Sequence, residues 1–300
     1  TYTDAEATAI DNYDGDITSS IVTVNPVDTA VVGVYTVTYN VTDANSNVAV
    51  EVTRTVNVVD TTVPVITLLG DAAVTIEVGS TYTDAEATAI DNYDGDITDS
   101  IVTVNPVDTA VVGVYTVTYN VTDANSNVAV EVTRTVNVVD TTVPVITLLG
   151  DATVTIEVGS TYTDDGATAT DNYDGNLTAS IVEVSTVDTT VVGVYTVTYN
   201  VTDANANAAV EVTRTVNVVD TTVPVITLLG EDPVTIEVGS TYTDAGATAT
   251  DNYDGDLTSS IATVSTVDTA VVGVYTVTYN VTDTNANAAV EVTRTVNVVD

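Results

Sequence analysis

The segment Asp91-Asn92-Tyr93-Asp94-Gly95-Asp96 sets carboxylates at alternating positions around a glycine that permits a sharp turn, with no imidazole or thiolate in the chain to compete. Oxygen donors in that pattern suit a hard cation, so calcium is expected ahead of zinc or copper. The segment recurs as Asp11, Asp14 and Asp16, as Asp171, Asp174 and Asn176, and as Asp251, Asp254 and Asp256. A second acidic turn runs from Asp123 through Asn125 to Asn127, and its counterparts start at Asp43, Asp203 and Asp283. Asp60, Asp140 and Asp220 stand where one stretch of sequence gives way to its next copy. Taken one loop at a time, Asp, Asn and Gly are also simply what turns contain. Only their convergence in space would make an ion site.

Composition limits the scaffold that could hold such loops. The 300 residues carry 43 acidic against 4 basic side chains, a net charge of −39, and no His, Cys, Met, Trp or Phe. Imidazole acid–base chemistry, thiolate nucleophiles and disulfides are thereby excluded, as are lysine Schiff bases, because all four cations are arginines. Nucleic acid is not an expected partner, since binding its backbone depends on Lys and Arg neutralising phosphates. Paired carboxylates such as Asp94 and Asp96 come without an evident pocket or second functional group, so no enzymatic activity is expected. A hydrophobic fraction of 44% and a mean hydropathy of +0.27 supply enough apolar material to fold despite the charge. No apolar run reaches the roughly 18 residues of a membrane span, and without an initiating Met or a targeting segment the chain reads as a section of something longer.

Self-similarity organises the rest. Thr1–Asp60 recurs at Thr81–Asp140 with one difference, Ser19 against Asp99, and again less closely at Thr161–Asp220 and Thr241–Asp300. The period is 80 residues, long enough for a small domain with its own core. The expected domains are 1–60, lacking its opening strand, then 61–140, 141–220 and 221–300.

Within each repeat, Val, Thr, Ile and Tyr alternate polar and apolar with a period of two, the pattern of half-buried strands. In residues 61–140 strands are expected at Val63–Leu69, along the row Val74, Ile76 and Val78, at Ile97–Val104, along Val111 to Val121, and at Val128–Val138 after the polar turn at Asp123. Pro64 is tolerated at the start of an edge strand. Strict alternation also puts Arg134 in register with Val132, Val136 and Val138, on the inward face, where an ion pair with an acid near the rim is expected; Arg54, Arg214 and Arg294 repeat the position.

The strings Val63-Pro64-Val65-Ile66-Thr67-Leu68, Asp91-Asn92-Tyr93-Asp94-Gly95-Asp96 and Gly113-Val114-Tyr115-Thr116-Val117-Thr118-Tyr119-Asn120-Val121-Thr122-Asp123 resemble the Cry22Aa-type bacterial immunoglobulin-like repeat. The resemblance implies an all-β fold, a tandem array of antiparallel immunoglobulin-like β-sandwiches. It also implies a place in long secreted surface or adhesin proteins, hence an extracellular or cell-surface location. Gly113 to Val117 resembles the tyrosine corner of such sandwiches, with Val111 where an Asp is usual.

With repeats strung end to end, antiparallel return places the Asp91–Asp96 loop and the Asp123–Asn127 turn at the pole where Asp60-Thr61-Thr62 enters. Three acidic segments then meet. The expected role is a structural spacer or stalk whose junctions are rigidified by calcium, its partners being the neighbouring repeats. The alternatives are an extracellular fibre, in which other copies add a strand at the open first repeat or pack laterally, and a carbohydrate-binding accessory module, which ought to expose aromatic side chains.

Overall fold

The computed structural model describes all of residues 1–300, which fall into two compact units, Thr1–Asp140 and Thr141–Asp300. In the first unit, residues 61–140 form a two-layer sandwich. Val65–Leu68, Ala87–Asp91 and Gly95–Asp96 make a three-stranded antiparallel sheet. Facing it are Val102–Val104, Gly113–Asn120, Val132–Val139 and Ala73–Glu77, hydrogen-bonded in that order. The last pair is parallel, Val74 beside Val136 and Ile76 beside Val138, so one edge of an otherwise antiparallel array runs the other way. Ile66, Ala87 and Ala89 from the small sheet meet Val117, Tyr119 and Val136 from the large one in a buried core.

The second unit repeats this plan twice, around Val197, Tyr199 and Val216 and around Val277, Tyr279 and Val296. Residues 1–60 of the first unit keep the sheet Val22–Val24, Gly33–Asn40 and Val52–Val58 and the small ribbon Ile10–Asp11 with Gly15–Asp16.

Four details depart from the expected strands. Ala87–Asp91 is a core strand although its sequence, Ala-Thr-Ala-Ile-Asp, lacks the usual bulk: Ala87 and Ala89 are buried in one cluster with Val117 and Tyr119. The stretch expected as a strand at Ile97–Val104 opens with the 3-10 turn Thr98–Ser100, and only Val102–Val104 pairs, with its valines exposed. The long row starts at Gly113, leaving Val111 outside to accept a hydrogen bond from the Tyr115 hydroxyl at 3.0 Å, so the tyrosine corner closes on a backbone carbonyl. Val128 makes an isolated bridge to Thr122, and the closing strand begins only at Val132.

Arg134 points inward, as its register requires. Its guanidinium pairs with Asp84 and donates to the carbonyls of Leu69, Asp71 (2.8 Å) and Glu86 (3.3 Å) and to the Tyr119 hydroxyl (2.9 Å). Tyr119 and Tyr82 in turn donate to Asp84. Burial opposes ionisation of Asp84, but the two tyrosine hydroxyls and the Arg134 charge outweigh it and hold the carboxyl below its ordinary range. A buried cation is tolerated here because nearly every donor on it has a partner.

Candidate metal centre

The turn at Asp91 to Asp96 is tight because Gly95 adopts φ +75°, which a side chain would strain. Asp91 Oδ1 accepts the N–H groups of Tyr93 (2.8 Å) and Asp94 (2.9 Å), which shapes the loop and leaves Oδ2 to face elsewhere. Asp94 Oδ2 accepts the Ala124 N–H at 2.9 Å, tying this loop to the second acidic turn. In that turn Asp123 Oδ1 accepts the N–H groups of Asn125 (2.9 Å) and Asn127 (2.7 Å). The Asn127 amide then donates to Asp123 Oδ2 (2.7 Å) and to the Asp60 carbonyl (3.3 Å), so the linker is held to the turn.

Asp60, Asp91, Asp94 and Asp123 thus each offer one carboxylate oxygen, all within 4.8 Å of one another. Asp91 is only 3% exposed, and its Oδ2 has no hydrogen-bond partner; neither has the buried Oδ2 of Asp60. Anionic oxygens removed from water and left without a donor are costly unless a cation meets them. The set fits a hard divalent ion with oxygen ligands.

The second unit builds the same group from Asp220, Asp251, Asp254 and Asp283, again with oxygens within 4.8 Å and with Asp251 Oδ2 buried and unpartnered. Thr284 donates its N–H (2.8 Å) and hydroxyl (2.7 Å) to Asp254, while Asn285 and Asn287 donate to Asp220 Oδ2 (3.3 Å) and to its carbonyl (3.1 Å). Burial holds the Asp220 carboxyl above its ordinary range; the Thr222 N–H opposes this, and the charges of Asp251, Asp283 and Glu157 reinforce it. Asp171, Asp174 and Asp203 also converge in the second unit, where Asp174 Oδ2 accepts the Ala204 N–H at 2.8 Å. In the first unit Asp11, Asp14 and Asp43 form a smaller group, and Asp140 is the last residue of that unit.

Other residues singled out in the sequence stand outside these groups. Asp16, Asp96, Asn176 and Asp256 each accept the N–H of the threonine two residues on, at 2.9 to 3.0 Å, where the next 3-10 turn begins. Asn125 contributes its backbone N–H to Asp123, and its side-chain nitrogen is buried without a partner beside the group.

Two kinds of residue escape the sequence pattern. The Tyr93 hydroxyl accepts the N–H of Val32 (3.2 Å) and the Tyr253 hydroxyl that of Val192 (3.4 Å), so the loop carrying the acids also docks on the preceding repeat. Glu157 accepts from Thr221 and Thr222 beside Asp220. Both contacts join residues more than sixty positions apart, and no local motif announces them.

With this geometry established, the kinship of the chain can be stated. The family profile for the bacterial surface protein Ig-like domain matches residues 1–58, 66–138, 146–218 and 226–298. The chain belongs to that family. Among curated proteins it is similar to hyalin of Strongylocentrotus purpuratus, with 35% identity over 68% of this chain and 18% of the relative. Hyalin of Lytechinus variegatus shares 36% identity over 81% of this chain and 48% of the relative. The pesticidal crystal protein Cry22Aa of Bacillus thuringiensis shares 30% over 94% of this chain and 39% of the relative. The chain therefore spans less than half the length of each of these proteins. Among solved structures, the lipoprotein BT2262 of Bacteroides thetaiotaomicron aligns over 77% of this chain and 98% of its own, at 14% identity and a TM-score of 0.24. Domains 4–9 of the surface layer protein SbsC align over 97% of this chain and 60% of their own, at 13% identity and 0.21. No helix of the family member described here is long and apolar enough to cross a membrane.

Proposed function

We propose that the chain is a spacer segment of a bacterial extracellular surface protein, and that calcium rigidifies the junctions between its immunoglobulin-like repeats. Family membership supports the surface setting. One observation carries the calcium: at the Asp60 junction one carboxylate from the linker and three from the following repeat converge, and the buried Asp91 Oδ2 among them has no donor. An ion bridging Asp60, Asp91, Asp94 and Asp123 ties the linker to both loops of the following repeat and resists bending there. Extracellular modules bind calcium with dissociation constants of about 10⁻⁴–10⁻³ M, so millimolar calcium loads such sites.

Small-angle scattering during titration with a chelator tests this. The maximum dimension is expected to shrink as calcium is withdrawn and to recover on its return; an identical profile throughout would refute rigidification.

A further inference from the structure

Asp220 is held unusually firmly for a linker residue. The strand before it, Val212–Val219, runs parallel to Thr153–Glu157 and ends with Val219 beside Glu157, where the Val158 N–H donates to the Val219 carbonyl at 2.7 Å. The residues after it are caught by the same glutamate. Glu157 accepts the Thr221 N–H (2.9 Å), the Thr221 hydroxyl (2.8 Å), the Thr222 hydroxyl (2.9 Å) and the Thr222 N–H (3.2 Å). The Thr222 N–H is shared, since Asp220 Oδ1 accepts it at 3.3 Å.

We propose that Glu157 is a positioning residue for the cation site of the second unit: it clamps Thr221 and Thr222, limits how strongly the Thr222 N–H engages Asp220, and so aims the Asp220 carboxylate at Asp251, Asp254 and Asp283. This rests on the calcium reading above. Without the clamp, the Thr222 N–H transfers wholly to Asp220 Oδ1 and draws that carboxylate back toward its own linker. The hydrogen bonds from Thr221 and Thr222 hold the Glu157 carboxyl down at about 2, so the clamp is anionic across the range in which calcium binds.

The test uses the full chain carrying Asp14→Asn, Asp94→Asn and Asp174→Asn, which leaves the Asp220 group as the intact site, and follows calcium by calorimetry with and without Glu157→Gln. Glu157→Gln is expected to weaken calcium binding about tenfold, as loss of one or two such hydrogen bonds implies, and to lower the melting temperature more in calcium than in chelator. Equal affinity in both chains overturns the clamp and leaves the calcium reading standing. An equal fall in melting temperature with and without calcium also overturns it, since a merely structural role would do that. If the parent chain takes up no calcium, the calcium reading fails first and the clamp falls with it.

Discussion

Residues 1–60 and 81–140 differ at a single position, Ser19 against Asp99, yet their arginines live in different surroundings. The Arg54 side chain is 36% exposed and that of Arg134 1%. Both pair with an aspartate, Asp4 or Asp84, and both approach the carbonyl of a glutamate, Glu6 or Glu86. Only Arg134 also meets the carbonyls of Leu69 and Asp71, which belong to the twenty residues that open its repeat. Those carbonyls satisfy the remaining guanidinium donors and seal the pair from water. The comparison teaches that the opening segment of a repeat completes the charge network around its arginine as well as covering an edge.

The largest expected effect breaks that comparison directly. Arg134→Ala leaves Asp84 without its counter-charge and the Leu69 and Asp71 carbonyls without their donor, and should destabilise its repeat by about 3–5 kcal/mol. Hydrogen exchange resolved by repeat in the full chain would show it; a loss below about 1 kcal/mol would mean that burial adds nothing. Next comes withdrawal of calcium. At about ten times its dissociation constant an ion stabilises by roughly 1.4 kcal/mol per site, so chelation should lower the melting temperature by a few degrees.

Acid sharpens the comparison further. Because Asp84, Asp164 and Asp244 titrate below their ordinary value in the folded chain, their pairing stabilises at pH above that value and is lost as pH falls through the folded one. Unfolding in chelator followed from pH 6 to pH 2 should therefore show the three complete repeats losing stability below about pH 4, as ordinary aspartate pKa values imply. A curve flat down to pH 2 would mean that these carboxylates contribute nothing. The smallest effect belongs to Tyr93→Phe, which removes the acceptor of the Val32 N–H; a net loss of about 0.5–1.5 kcal/mol is expected, confined to exchange near Val32.

Much of this was legible residue by residue. Alternation along Gly113–Asn120 specified a strand and its inward face, and the same alternation placed Arg134 inward before any partner was known. Ala87–Asp91 was not legible, because alanine carries little strand preference and the burial of Ala87 and Ala89 depends on the sheet opposite. Among the acids, turn chemistry marked the loop that carries Asp94 and the turn that starts at Asp123, but not that Asp91 ends a strand. It could not separate these acids from Asp96, whose carboxylate is engaged by Thr98, since a ligand and a turn acceptor look alike in a string of Asp and Gly.

By itself the sequence determined the local facts: an 80-residue repeat, strands with a defined inward face, acidic turns, and one cation per repeat. Those follow from neighbours along the chain, where the two-residue period of a strand and the conformational freedom of glycine act. Tertiary structure alone decided which carboxylates meet, which arginine is sealed, and that Glu157 reaches Thr221 and Thr222 across more than sixty residues. Such contacts depend on how two sheets and a linker close on one another, and burial and hydrogen-bond partners exist only once they have closed.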